Sequence, residues 1–359
     1  MRSLTSIPSE PGRSASTEDG LPQCRHHLRE LFDVPKMEQV ILLPSCTHAV
    51  NAVVAGIAAG LPHGSELIAG RGDHNAVLRP LMLQKERYGV SAALISCAED
   101  GRMDVSALAS KISKQTSLIC VTHASNVTGA VAPIEEIAAL AAASDIPLLI
   151  DAAQSAGSIP ISYRDLPGKV YLAFAGHKGL LGPTGIGGVI VPDDTLPQTV
   201  VGGTGIRSER LFHPTELPTR HEAGTPNLPG IAGLSAGVRY VLDKGAAAIG
   251  QHKSLLVNRV RRGLQSVKGV RLYPAAGEDG RAGVVSFTLE NQTPEDTAFV
   301  LRNVFEIETR AGLHCAPLIH REIGSHPMGT VRASVGPFNT EADVERFIDA
   351  VTHIATGQQ

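Results

Sequence analysis

The sequence predicts an α/β fold: a mostly parallel sheet with helices on both faces, followed by a smaller α+β region. Three observations carry this. From about residue 38 to residue 244, short aliphatic runs alternate with Ala/Leu-rich helical stretches. Runs such as Leu148-Leu149-Ile150 are apolar throughout, as strands buried on both faces are. Beyond residue 244 the alternation stops and strands and helices follow in another order.

In chain order, strands are expected at 40–43, 67–69, 92–96, 118–122, 147–150, 170–174 and 186–191. Helices are expected at 49–59, 76–87, 105–113, 134–144 and 228–242. A long helix at 246–266 then leads to strands at 270–273 and 283–288 and a helix at 294–304. Strands at 307–309 and 329–335 and a helix at 340–356 close the chain. The expected division is an N-terminal arm at 1–30, partly flexible, a large domain at 31–244 and a small one at 245–359.

With 359 residues the chain can build one large or two medium domains with substantial cores. A net charge of −3 points to neither nucleic acid nor an anionic membrane. Apolar stretches such as 50–61 are too short and too interrupted to span a bilayer. The first 20 residues, rich in Ser, Pro, Gly and Glu, lack the apolar core of a signal peptide. The five cysteines are odd in number and widely spaced, which fits reduced thiols in a cytoplasmic protein rather than a disulfide framework. The 14 histidines include no H-x-x-x-H or H-E-x-x-H spacing, so no metal site is expected.

The chemistry centres on Lys178, in Ala175-Gly176-His177-Lys178-Gly179-Leu180-Leu181-Gly182, between a predicted strand and a glycine-rich turn. A loop lysine is either a solvated charge or, at a strand end facing a pocket, an amine able to form a Schiff base. Upstream, Leu148-Leu149-Ile150-Asp151 ends an apolar strand in an acid. Such an Asp either caps a helix or sits beside a pyridinium nitrogen, keeping it protonated so that the ring serves as an electron sink.

Asp151, the Lys178 segment and Arg310-Ala311-Gly312-Leu313-His314-Cys315-Ala316 together resemble the class V aminotransferase family, and within it the cysteine desulfurase and selenocysteine lyase branch. The likeness runs in family order from about residue 12 to the last helix. It implies the fold type I architecture of pyridoxal 5′-phosphate enzymes, with a mostly parallel seven-stranded sheet and a smaller C-terminal α+β domain carrying the Cys315 lobe. By matching position, Lys178 would hold the cofactor and move protons, Asp151 would pair with the ring nitrogen, and Gln154 would approach the ring hydroxyl. His74 would stack on the ring, and Asn126 would sit beside the ring hydroxyl and the substrate. Cys46, Thr47 and His177 would serve the phosphate, helped by a helix N-terminus. Thr225 would reach the phosphate of a neighbouring subunit, making the active form a homodimer. Arg332 and Arg310 would hold the substrate carboxylate.

Cys315 selects the sub-family. There the resembling desulfurases carry a nucleophile that takes sulfur from L-cysteine, leaving L-alanine and a persulfide. His314 would adjoin the substrate and, as an imidazolium, favour the thiolate. About 17 positions separate Cys315 from Arg332, which resembles the short-lobe desulfurases that hand sulfur to an acceptor protein. Selenocysteine cleavage, another class V reaction such as transamination or β-elimination, and a non-catalytic scaffold are the competing readings.

Three departures from the family pattern stand out. Ala175 replaces a hydroxyl residue that would donate to the phosphate, and His48 replaces an acid after Thr47. The chain also starts near the family's downstream glycine-rich piece, here Ser9 to Ser14, without the preceding strand and turn that line the substrate site.

Overall fold

The computed structural model describes residues 20–192, 196–274 and 282–357, so the segment from Ser9 to Ser14 lies outside the described residues. The larger sheet has seven strands: β1 (Val40–Leu43), β2 (Glu66–Gly70), β3 (Ser91–Ile95), β4 (Thr116–Thr122), β5 (Leu148–Asp151), β6 (Val170–Ala175) and β7 (Gly187–Ile190). Their spatial order is β1-β7-β6-β5-β4-β2-β3. The pairs from β3 to β6 are parallel, whereas β7 runs against both β6 and β1. The two reversals cancel, so β1 ends at the same sheet edge as the parallel strands.

The apolar runs form strands because both faces are covered. Leu148 and Ile150 of β5, with Val170, Leu172 and Phe174 of β6, enter one core. Leu149, Tyr171, Ala173 and Ala175 alternate onto the other. Full burial of a Leu or Ile side chain contributes roughly 1.5–3 kcal/mol. Helices α2 (Cys46–Ala58) and α3 (Asn75–Tyr88) line the second core, and α5 (Ile134–Ala143) and α6 (Leu228–Lys244) the first.

Residues Leu21–Leu31, mostly in the expected arm at 1–30 and ending one residue beyond it, form helix α1, with Cys24 and Leu28 fully buried in the first core. Its polar Arg25 is buried too, bonded to Glu222 and to the Val40 carbonyl. A charged residue at a buried position disguises the helix in the sequence. Helix α4 (Val105–Lys111) also belongs to this part.

Past Gly245, helix α7 (Ala246–Gln265) precedes a four-stranded antiparallel sheet, ordered β10-β11-β9-β8. Its strands are β8 (Val270–Tyr273), β9 (Val284–Leu289), β10 (Arg310–Gly312) and β11 (Thr330–Ser334). Strands β8, β9 and β11 share a core with α7, α8 (Pro294–Phe305) and α10 (Glu341–Thr356), where Phe287 and Phe347 meet edge to face. The short helix α9 (Pro317–Glu322) lies between β10 and β11.

Two expected boundaries move for physical reasons. No strand forms at 307–309: Glu306 exits α8 in a left-handed turn, the Ile307 amide donates back to Leu301, and pairing begins only where Arg310 faces Arg332. Helix α2 starts at Cys46 rather than 49, because the Ser45 hydroxyl caps it by accepting from the His48 amide. No helix among the described residues is long and apolar enough to cross a membrane.

Candidate active site

The carboxyl ends of β2, β4, β5 and β6 converge on a cavity of about 260 Å³, where open α/β sheets bind ligands. Its wall includes Cys46, Thr47, His74, Asn126, Asp151, Gln154, His177, Lys178, Arg310, His314, Cys315 and Arg332. All but one of the residues given a cofactor or substrate role in the sequence are therefore in one place. The exception is Thr225, which is exposed in a second cleft of about 720 Å³ beside the Gly203–Ile206 segment.

Lys178 leaves β6 on a turn in which Leu181 donates to the Lys178 carbonyl and Gly182 to that of Gly176. The turn lies main chain to main chain against the loop after β5. A Cβ on Gly179 would sit 2.2 Å from the Ala156 carbonyl oxygen, and one on Gly157 2.3 Å from that of Gly179. Only glycines allow this crossing, which fixes Lys178 relative to Asp151.

Asp151 is 4% exposed. Its Oδ1 accepts from the Ala153 amide at 2.9 Å and from the Cys46 thiol at 3.5 Å. No helix follows it, so it caps none; the bond to the amide two residues on is a local Asx turn. Burial and the adjacent carboxylate push the Cys46 thiol well above its usual range, so it stays protonated and donates. Both contacts fall on Oδ1, leaving Oδ2 for a further donor. Gly187 lets α2 reach this point, because a Cβ there would stand 2.8 Å from the Cys46 nitrogen.

His74 caps α3, its Nδ1 accepting from the Ala76 amide at 3.0 Å, which leaves any ring N–H on Nε2. Burial lowers its pKa, with Asp151 opposing and Lys178 reinforcing the shift, so the ring is neutral near pH 7. Partial burial and neighbouring Lys178 likewise lower His177. The preceding Asp73 holds the loop in place: its carboxylate accepts from the Gly70 amide at 2.8 Å and the Thr122 amide at 2.9 Å. Sequence reading did not single out Asp73; an acid just beyond a strand end was the available signal.

The other wall comes from the smaller sheet. Arg332 of β11 donates through Nη1 to the Asn126 carbonyl at 2.9 Å, and Asn126 Nδ2 donates to the His314 carbonyl at 2.7 Å. Burial, then the neighbouring Arg310, lower the Arg332 pKa, although a guanidinium remains charged. His314 and Cys315 both take left-handed backbone angles, φ 50° and 58°. That strained pair turns Cys315 outward, where it is exposed. All five cysteines are unpaired.

His314 departs from expectation. Its ring is buried, Nε2 lies 3.0 Å from the Thr330 carbonyl and hydroxyl, and burial with nearby Arg332 pulls its pKa down to about 3. The imidazole is neutral and supplies no positive charge to Cys315; its carbonyl, through Asn126, is what serves the cavity.

A family model for aminotransferase class V matches residues 7–347. A probable cysteine desulfurase of Pyrococcus abyssi is 31% identical over 324 residues, covering 89% of this chain and 79% of that protein. A cysteine desulfurase of Salmonella agona is 31% identical over 348 residues, covering 95% of this chain and 84% of that one. The apo structure of a cysteine desulfurase from Thermococcus onnurineus superposes with a TM-score of 0.88 at 32% identity, covering 94% of this chain and 84% of that one. The chain is thus a pyridoxal-phosphate enzyme of fold type I. It belongs to the class V aminotransferase family, in the cysteine desulfurase branch.

The cavity fits that cofactor. Asp151 offers Oδ2 to a ring nitrogen, Lys178 an amine, and the Cys46 and Thr47 amides open an α2 N-terminus. The buried Thr122 Oγ1, Asn126 Oδ1 and Arg332 Nε find no partner among the described residues, and all three residues line this cavity. Buried polar atoms of this kind mark a place for a polar ligand.

Proposed function

We propose that the protein is a cysteine desulfurase: it removes sulfur from L-cysteine, releases L-alanine, and receives the sulfur on Cys315 as a persulfide for passage to an acceptor protein. The observation that carries the reading is an exposed thiol on a strained turn, in one cavity with Lys178, Asp151 and Arg332. The Cys315 thiolate attacks the substrate sulfur, the C–S bond breaks with its electron pair on carbon, and that carbon takes a proton.

Pyridoxal phosphate, when bound, supplies an electron sink for charge developing at the substrate carbon. Lys178 would hold it through its amine and would move a proton at the substrate Cα. Asp151 would keep the ring nitrogen protonated, and the neutral His74 ring would stack on the ring. Gln154 and Asn126 serve the ring hydroxyl, while Cys46, Thr47 and His177 serve the phosphate. Arg332, with Nε available, and the exposed Arg310 hold the substrate carboxylate. Residues 31–244 form the cofactor-binding domain in this reading, and 245–359 the smaller one.

Cys315→Ala in the holoenzyme tests it. Persulfide and sulfide output should fall by at least about 100-fold, the scale for losing a positioned catalytic group. Visible absorbance of the lysine-bound cofactor should persist. Unchanged turnover of cysteine overturns the proposal. Pyruvate in place of alanine would instead reveal β-elimination, and selenocysteine turnover surviving the substitution a selenocysteine lyase.

The same reading makes the enzyme a homodimer in which Thr225 reaches the partner's cofactor phosphate, since Thr225 is exposed and outside its own cavity. Thr225→Val should then weaken cofactor retention about tenfold, the value of one charge-assisted hydrogen bond. A wild-type monomer by sedimentation that retains cofactor fully would rule the arrangement out.

A further inference from the structure

The short lobe that carries Cys315 is tied to the larger sheet by contacts that share one small platform. Helix α9, at six residues, is too short to hold its shape alone. Its apolar side is fixed by Ala316 and Ile319, both fully buried against Val127. Its two ends are held by polar contacts. At the near end the Cys315 carbonyl accepts from the Asn75 amide at 2.7 Å. At the far end Glu322 receives Arg71 Nε on Oε1 at 2.5 Å and the Cys97 amide on Oε2 at 3.2 Å. Both side chains of the pair are sheltered, Arg71 at 33% and Glu322 at 19% exposure.

Arg71 opens the four-residue loop 71–74 that also contains Asp73 and His74, and Asn75 is the first residue of α3 directly after it. The loop is rigidly seated: Arg71 donates its amide to the Ile95 carbonyl at 2.8 Å, and Asp73 takes the Gly70 and Thr122 amides. This loop and the start of α3 therefore fix the ring that faces the cofactor site and both ends of the segment bearing the thiol.

We propose that Arg71 and Glu322 are positioning residues for sulfur transfer: their ion pair clamps the far end of the lobe to the His74 loop and so sets where the Cys315 thiol stands over the cavity. Without the pair, the lobe pivots on its Asn75 contact and the left-handed turn at His314–Cys315 is free to relax. Substrate binding, which falls to Arg332 on β11, stays intact. The inference rests on Cys315 being the sulfur acceptor.

The test uses the holoenzymes of Arg71→Gln, Glu322→Ala, Arg71→Lys and, as a control, Cys315→Ala. Two readouts are taken: steady-state turnover of L-cysteine, and the alkylation rate of Cys315 by iodoacetamide, followed by peptide mass. Arg71→Gln and Glu322→Ala should each lower kcat about tenfold with KM within about twofold, as expected when a reacting group is displaced but binding is not. Cys315 alkylation should accelerate about threefold or more as the lobe opens. Arg71→Lys, which preserves a cation, should recover most of both values. Wild-type alkylation and kcat in Arg71→Gln and Glu322→Ala overturn the clamp, as does an Arg71→Lys protein as impaired as Arg71→Gln. Should Cys315→Ala turn over cysteine normally, the acceptor role fails instead, and the alkylation rates still decide whether the pair holds the lobe.

Discussion

Lys178→Ala should abolish turnover, lowering kcat by about 10³-fold or more while leaving the fold intact. A positioned proton-transfer group alone is worth roughly 10²–10⁴-fold, and in the proposed mechanism the same amine also anchors the cofactor. The fold should survive because the turn is held by main-chain bonds, Leu181 to Lys178 and Gly182 to Gly176, and by the crossing of Gly157 and Gly179. None of these uses the lysine side chain. The measurement pairs the visible spectrum with thermal unfolding. The lysine-bound aldehyde band should vanish and the unfolding of the apoprotein should match that of wild-type apoprotein. A variant that retains the band, or turns cysteine over within tenfold of wild type, would remove Lys178 from the centre of the chemistry.

Acidification from pH 7 to 5 should cost about 4–5 kcal/mol of stability, from shifts of about 1.4 kcal/mol per pKa unit. Three buried histidines dominate. His314 is held to about 3, His320 and His123 to about 4, in each case chiefly by burial. Their folded pKa values lie below the usual 6.5, so their stabilising effect is present above pH 6.5 and is lost as pH falls toward the folded values. Asp73 works in the opposite direction: burial raises it to about 6, so it takes up its proton earlier in the folded chain and returns part of the loss below pH 6. Two of the three histidines lie in the lobe around Cys315, with ring centroids 5.7 Å apart, and His320 Nδ1 lies 2.7 Å from the Ser325 hydroxyl. Urea unfolding midpoints at pH 7, 6 and 5 check the sign and size. A midpoint that holds level or rises on acidification contradicts the assignment of neutral buried rings.

The sequence exposed most of the scaffold because its strands are short apolar runs, several closed off by glycine, proline or an acid. Strands at Val40–Leu43 and Val270–Tyr273 fall where the apolar pattern puts them. The cavity residues were legible for a related reason: Asp151 ends β5, and His74, Asn126 and Lys178 follow within a few residues of strand ends, so a parallel sheet gathers them. What stayed hidden depends on partners far away in the chain. Arg25 looks like a surface charge until Glu222 lies beside it, and Arg71 shows nothing of Glu322. The Cys46 thiol reads as one more core cysteine, because only the folded chain brings it to Asp151. The imidazolium expected at His314 fails on burial, which a linear motif does not report.

The cavity wall is assembled from segments running from Ser45 to Arg332, taken from both sheets. No local piece of the chain contains even a partial version of it. Contacts of such sequence separation carry the entropy of closing very long loops. The competence to bind cofactor is therefore a property of the finished molecule. By mass action, whatever binds there draws the whole population toward the native state, the smaller sheet included. Cofactor supply should then raise the folded fraction of these chains as well as the active one.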